Sequence, residues 1–187
     1  MHISCDCGEF KAQLPAFPKN TPGRLMCYCD DCQRYLERLG RTDLLDEYGG
    51  TEVIPVYPTE IVFLQGADKL QCNRLSRRGN NRWSTTCCNS PIANTPAGIP
   101  WVGIFHQAFT RSDTRYPGKL GSVRSRIHGA HARPGAPFKI SPKIGFKAMM
   151  TVMPFIIKGK LLKKNSHSPF FKEDNRTPIS EPHLLEE

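Results

Sequence analysis

The sequence predicts a mostly β fold. Three observations carry this. Short alternating or apolar runs are punctuated by 16 prolines and 15 glycines, a density that favours many turns and short elements. A turn rich in glycine and asparagine, Arg77-Arg78-Gly79-Asn80-Asn81, separates two such runs and reads as the tip of a hairpin. Seven of the eight cysteines fall in three tight groups, Cys5/Cys7, Cys27/Cys29/Cys32 and Cys87/Cys88, at spacings that suit strands and turns.

The elements follow in order. "HISCDCGEFKAQL" alternates loosely up to Pro15 and predicts a short strand bent at Gly8. "GRLMCYC" predicts a second strand. "DDCQRYLERLGR" predicts a short helix, with Leu36 and Leu39 three apart and Gly40 as its stop. "TEVIPVYP" and "EIVFLQG" predict two strands around a proline turn, and "KLQCNRLS" and "NNRWSTTCC" the two arms of the hairpin. "IPWVGIFHQAF" is a further β-type run. Beyond it the signals weaken. "ARPGAPFKISPK" reads as loop. A helix is expected from Ser141 as N-cap and Pro142 at the first helical position, broken or kinked at Pro154. "HSPFFKEDNRTPISEPHLLEE" reads as an irregular tail. The organisation expected is a cysteine-bearing β domain over 1–110 and a basic extension over 111–187, packed on the core.

Charge supports that division. Residues 1–100 hold 11 Lys/Arg and 11 Asp/Glu, whereas residues 101–187 hold 15 against 6 and so carry the whole net charge of +9. Between Arg111 and Lys164 there are 13 basic residues and one acid, Asp113. Such a field attracts anions: nucleic acid, an acidic lipid surface or an anionic small molecule. The plainer reading is a solvated face that aids solubility. No stretch reaches the roughly 18 apolar residues of a spanning helix. "MHISCDCGEF" lacks the charged start and apolar run of a signal peptide. The cytoplasm is the expected compartment, and there clustered cysteines serve as metal ligands or reactive thiols more often than as disulfides.

Two cysteines one residue apart on a strand present both thiols on one face. Cys5/Cys7 and Cys27/Cys29 fit this. Cys32 follows Cys29 at C-x-x-C spacing, so a turn returns it to the same ion. These spacings suit tetrahedral zinc, one or two ions per chain. Cys27, Cys29 and Cys32 supply three ligands and leave a fourth position open, the pattern of a reactive site; four ligands close a site structurally. Cys5 and Cys7 need partners, and Cys87 and Cys88 are available if the chain turns at Asn89-Ser90-Pro91. Cys72, on a predicted hairpin strand, reads as a core thiol.

C-x-C-G at residues 5–8, C-x-C-x-x-C-Q-R at 27–34 and R-W-x-x-x-C-C-N-S-P-I at 82–92 together resemble the glutathione-dependent formaldehyde-activating enzyme (Gfa) family, which includes the centromere protein V domain. The resemblance covers roughly residues 3–110, in a branch with a basic C-terminal extension. It implies a β-tent fold of antiparallel sheets bearing zinc. By match, Cys5, Cys7 and Cys88 carry over to a structural zinc, and Cys27, Cys29 and Cys32 to a second zinc whose fourth position takes a thiol. One departure stands out. The family's late C-x-x-C would need a cysteine where this chain has Thr85. Cys87 is the candidate replacement; otherwise the site has three ligands or is lost.

The resemblance implies a carbon–sulfur lyase activity, in which a small thiol such as glutathione forms an adduct with formaldehyde or another small aldehyde. No catalytic side chain is assigned beyond the metal ligands. Asp30 and Asp31 lie inside the cysteine loop, where turn acids are usually solvated. Arg34 is the nearest candidate for orienting an anionic thiol. Arg82 and Trp83 match the motif but read equally as packing, and His128 and His131 read as ordinary loop histidines. The rival expectation is a zinc-structured binding module whose basic segment contacts nucleic acid, anionic membrane or a protein partner. Phe138, Phe146 and Phe155 are the only phenylalanines in that stretch, so a Met- and Ile-rich segment over 143–164 suits a membrane surface or partner helix better than stacked bases.

Overall fold

The computed structural model describes residues 1–15, 21–110 and 121–185. Its strands form two sheets. The smaller joins β1 (His2–Ser4), β2 (Lys11–Gln13) and β5 (Val62–Gln65), all antiparallel. The larger runs, edge to edge, through β10 (Val123–Ile127), β3 (Arg24–Cys27), β4 (Thr51–Val56), β9 (Val102–Phe105), β8 (Pro91–Thr95), β7 (Asn81–Thr85), β6 (Leu70–Arg74) and β11 (His183–Leu184). Its interior pairs are antiparallel, and only the two edge strands, β10 on β3 and β11 on β6, join in parallel. Among the described residues three α-helices accompany them: α1 (Asp30–Arg38), α2 (His106–Thr110) and α3 (Phe146–Leu161). The fold is thus mostly β with few helices, one of them in the C-terminal part. Among the described residues no helix is long and apolar enough to cross a membrane.

Strand alternation divides the core. In β4, Ile54 and Val56 face one side and Val53 the other. The first side packs on the smaller sheet, where Ile3, Phe10, Ala12 and Leu14 meet Trp83, Ile92, Val102 and Ile104. The second side packs on α1 and α3, through Leu25, Tyr35, Leu36, Phe105 and Val152. Every residue of β4 is buried, as expected of a strand covered on both faces. Pro55 is tolerated there because the pairing with β3 covers only Thr51–Val53, so its missing N–H interrupts no ladder on that side.

The hairpin forms as its turn chemistry predicts, with Leu70 opposite Thr85 and Cys72 opposite Trp83. Cys72 is fully buried, as a core thiol should be. The α1 helix ends at Gly40, whose φ of 68° is left-handed. Gly40 N–H donates to the Glu37 carbonyl and Arg41 N–H to that of Leu36, a Schellman pair that explains the stop.

The C-terminal part differs from its sequence reading in two ways. The helix starts at Phe146, not after Ser141, because Ser141 is held in extended pairing: its N–H donates to the Arg126 carbonyl and its own carbonyl accepts from Gly129. It also runs on through Pro154, an exposed position where the carbonyl left without a helical donor can turn to water. The tail contributes side chains to the core. Phe170 packs against Trp83 with ring centroids 5.2 Å apart, and the Ser180 hydroxyl accepts from the Cys72 N–H at 2.8 Å. Residues 111–120, which include Arg111 and Asp113 of the basic stretch, lie outside the described residues.

Candidate metal centres and their cavity

None of the eight cysteines is in a disulfide. Seven of them gather in two clusters, Cys5/Cys7/Cys87/Cys88 and Cys27/Cys29/Cys32, within each of which the sulfurs lie within 4.8 Å of one another.

The first cluster joins the N-terminus to the end of the hairpin. Cys5 and Cys7 do not lie on a strand, as their spacing suggested. They sit in a turn just after β1, closed by Gly8 N–H donating to the Cys5 carbonyl at 3.2 Å, with Gly8 at a φ of 78°. The Phe10 N–H points at the Cys5 sulfur at 3.3 Å. Across from them, the chain turns after β7 with Asn89 in the left-handed region and its N–H on the Thr85 carbonyl. That turn lets the adjacent Cys87 and Cys88 face one point. Cys87 Sγ lies 3.1 Å from Cys7, 3.9 Å from Cys5 and 3.8 Å from Cys88. Thr85, at the position of the missing cysteine, places its hydroxyl 3.4 Å from the Cys88 sulfur, and Ser90 adds a second at 3.2 Å.

The second cluster is local. Cys27 ends β3, Tyr28 turns the other way into the interior, and Cys29 in extended conformation is the N-cap of α1. Cys27 and Cys29 sulfurs are 3.4 Å apart, and Cys32, in the first helical turn, lies 3.9 Å from Cys27. The positive end of the helix therefore faces the thiols and favours their ionised form. Four sulfurs about 2.3 Å from a common centre lie about 3.8 Å from each other. The separations in both clusters bracket that value and far exceed the ~2.05 Å of a disulfide. The donor sets fit a tetrahedral thiophilic ion such as zinc.

Arg82, from β7, closes the second cluster from below. It is 4% exposed, with one guanidinium nitrogen 3.8 Å from the Cys32 sulfur and another 3.2 Å from Asp31. It also donates to Asn94 and lies over the Tyr35 ring at 5.5 Å. Burial works against its charge, but the adjoining Cys32 thiolate more than compensates and keeps its pKa above the ordinary value. In return, hydrogen bonds from Cys27 and Cys29, together with the Arg82 charge, hold the Cys32 thiol far below its ordinary range despite complete burial. Cys27, which donates within the group, is pushed up. The first cluster shows the same division. Partial burial opposes ionisation of Cys88, but the Ser90 and Thr85 hydroxyls outweigh it and bring the thiol down to about 5. Cys7 goes the other way: the Glu9 backbone lowers it most, but the bonds to Cys87, Cys88 and Cys5, with some desolvation, together raise it to about 12. Each cluster thus favours one thiolate, Cys32 in the second and Cys88 in the first, beside thiols held protonated.

The second cluster opens on a cavity of about 600 Å³, within the usual size of small-molecule sites. Leu25, Val53, Trp101, Ile127, Ile144 and Val152 form apolar walls. Asp30 and Asp31 lie beside the cysteines, with Asn80, Asn94, His128, His131 and Lys143 around them. The four cysteines of the first cluster do not line it. Arg34 does not line it either; it pairs with Asp30 at 3.0 Å, one helical turn away. The arginine at the sulfurs is Arg82, whose only sequence signal was its place in the R-W motif. The two histidines had no ligand spacing to flag them. The fold brings them in: β10 pairs Ile127 with Cys27, and His128, at a φ of 58°, turns the chain toward the cavity. The Gln33 side chain then ties α1 to the His131 carbonyl at 3.0 Å.

With this geometry in hand, comparison places the chain among its relatives. The model of a family of unknown function, DUF6151, matches residues 1–181. The chain belongs to that family. The match spans both cysteine clusters and the C-terminal part that walls the cavity. No curated protein matches the chain. Among solved structures, a crystal structure of a Rhodobacter sphaeroides protein is similar, with 17% identity and a TM-score of 0.45 over 66% of this chain and 97% of that one.

Proposed function

We propose that Cys27, Cys29 and Cys32 hold a zinc ion whose fourth position faces the cavity, and that the chain adds a small thiol of the glutathione class to a small aldehyde, as the resemblance to the Gfa family implies. The first cluster holds a structural zinc, with Cys87 standing in for the cysteine that Thr85 replaces. One observation carries the reading: three sulfurs spaced for one tetrahedral ion open onto a cavity large enough for a small peptide. Zinc so held supplies thiol activation, lowering the pKa of a thiol so that it reacts as thiolate near neutral pH.

The chain's own residues do the rest. Buried Arg82 keeps Cys32 ionised and offsets charge that three thiolates would otherwise concentrate. Lys143 on the cavity wall faces an anionic substrate with a cation. The apolar walls limit water. In the reaction the thiol sulfur bonds to the carbonyl carbon and the carbonyl pair moves to oxygen. The proton lost by sulfur is the one gained by oxygen, so the S-hydroxymethyl adduct forms without net proton change. Asp31, beside the sulfurs and anchored to Arg82, is placed to pass it.

The test is zinc stoichiometry and glutathione binding by calorimetry, for the parent and Cys29→Ser. The parent should hold two zinc ions and bind the thiol. Cys29→Ser should hold one and lose thiol binding. Glutathione binding equal in both would overturn the assignment.

A further inference from the structure

Helix α3 is apolar on two opposite faces. Ala148, Val152, Phe155 and Gly159 form the inner one. Phe155 stacks on Tyr57 with centroids 4.1 Å apart, and a Cβ at Gly159 would come within 2.7 Å of that ring, so the helix is seated tightly. The outer face is a second stripe: Phe146, Met149, Met150, Met153, Ile157 and Leu161, all exposed, with Phe146 at 80% and Leu161 at 78%. At 100° per residue these six fall within an arc of about 120°, nearly opposite the buried four. An exposed stripe of this kind marks an interaction surface.

Charge identifies its occupant. Lys147 and Lys158 flank the stripe on one side, and Lys160 and Lys163 are exposed near its far end. Over residues 121–172 there are eleven Lys and Arg and no Asp or Glu. A second copy of the chain would set these cations against their own kind. A nucleic acid would satisfy them but would leave the aliphatic stripe in water. It would also find few rings to stack on, because Phe155 is buried and Phe138 lies beneath Arg126 at 4.0 Å. An anionic bilayer satisfies both, taking the apolar side chains among its acyl chains and the lysines at its headgroups. We infer that the outer face of α3 docks the protein on anionic membrane surfaces, with the helix lying in the interface.

The experiment is co-sedimentation of the full chain with vesicles of phosphatidylcholine alone or mixed with phosphatidylserine. The parent should pellet with the mixed vesicles, less so as salt rises, and weakly with the neutral ones. Lys147→Gln/Lys158→Gln should lower partitioning about thirty-fold, and Phe146→Ser/Leu161→Ser about a hundredfold or more. Both pairs are exposed, so zinc content and melting should match the parent. No pelleting with mixed vesicles at low salt, or pelleting unchanged in the Phe146/Leu161 variant, would overturn the inference. So would a dimer in analytical ultracentrifugation, or binding of a labelled DNA or RNA duplex, that this variant abolishes.

Discussion

Replacing Arg82 by leucine removes the cation that the Cys32 sulfur touches. The side chain is 4% exposed, so water cannot take its place. Its partners divide by burial. Asp31 is 56% exposed and regains hydration, so that pair contributes little. Cys32 is buried, and its thiolate would lose the side-chain cation 3.8 Å from its sulfur. Removing one member of a buried ion pair costs about 3–5 kcal/mol, chiefly through the charge left behind. For a chain of this size each kcal/mol moves the melting temperature by about 2–4 °C, so a drop on the order of 10 °C is expected. Leucine fills much of the stem's volume, which keeps the packing loss small. Arg82→Lys should recover part of the loss, restoring charge without the fork that reaches Cys32, Asp31 and Asn94 together. Differential scanning calorimetry of the three zinc-loaded proteins measures this. A leucine variant melting within 1 °C or so of the parent, on that same scale, would show that Arg82 is packing and that the Cys32 sulfur needs no counter-charge from a side chain.

Four further outcomes are expected. Removing metal with a strong chelator should lower the melting temperature sharply, because two clusters of closely spaced thiols lose their common partner; an unchanged melt after verified removal would count against metal-dependent folding. Cys7→Ser and Cys87→Ser should each lower zinc stoichiometry by one and reduce soluble yield; an unaltered zinc content in Cys87→Ser would leave the first cluster with three working ligands. Gly159→Ala should destabilise by about 1–3 kcal/mol in urea melts, since its Cβ would meet Tyr57 at 2.7 Å and Pro100 at 2.8 Å. Asp174 accepts from Thr177 and from the backbone of Arg176 and Thr177, which bring its pKa down to about 2. Its contribution is therefore present above the ordinary carboxylate pKa and fades as pH falls through about 2, and a carboxyl carbon titrating near 3.8 by NMR would refute it.

Local chemistry was legible in the sequence. The hairpin at Gly79-Asn80, the short helix ended by Gly40 and the three cysteine groups each rest on residues a few positions apart. Cys87 joining Cys88 was an open question that the turn at Asn89 answers. What escaped was long-range. Val123–Ile127 carries alternating charge and polarity, not an apolar run, and becomes a strand because β3 offers it an unpaired edge. Pro91–Thr95 carries no strand reading from sequence and is a buried strand between two neighbours. Phe170 gave no periodic signal, since a single aromatic in a loop can fill a core without one. The cavity was the least legible part, because its walls come from positions as far apart as Leu25 and Val152.

The two clusters also differ in how long a growing chain must wait to complete them. Cys27, Cys29 and Cys32 emerge together, so a metal can bind them almost at once. Cys5 must wait for Cys87, 82 residues later. At translation rates of about 5–20 residues per second, that is roughly 4–16 s during which the first thiols are exposed to oxidants and competing ions. Order of synthesis therefore sets order of assembly, and truncated ribosome-bound chains ending before Cys87 should carry one zinc. Ile127 and Lys143 arrive later still, so a metal taken up by Cys27, Cys29 and Cys32 would be in place before the walls of its cavity exist.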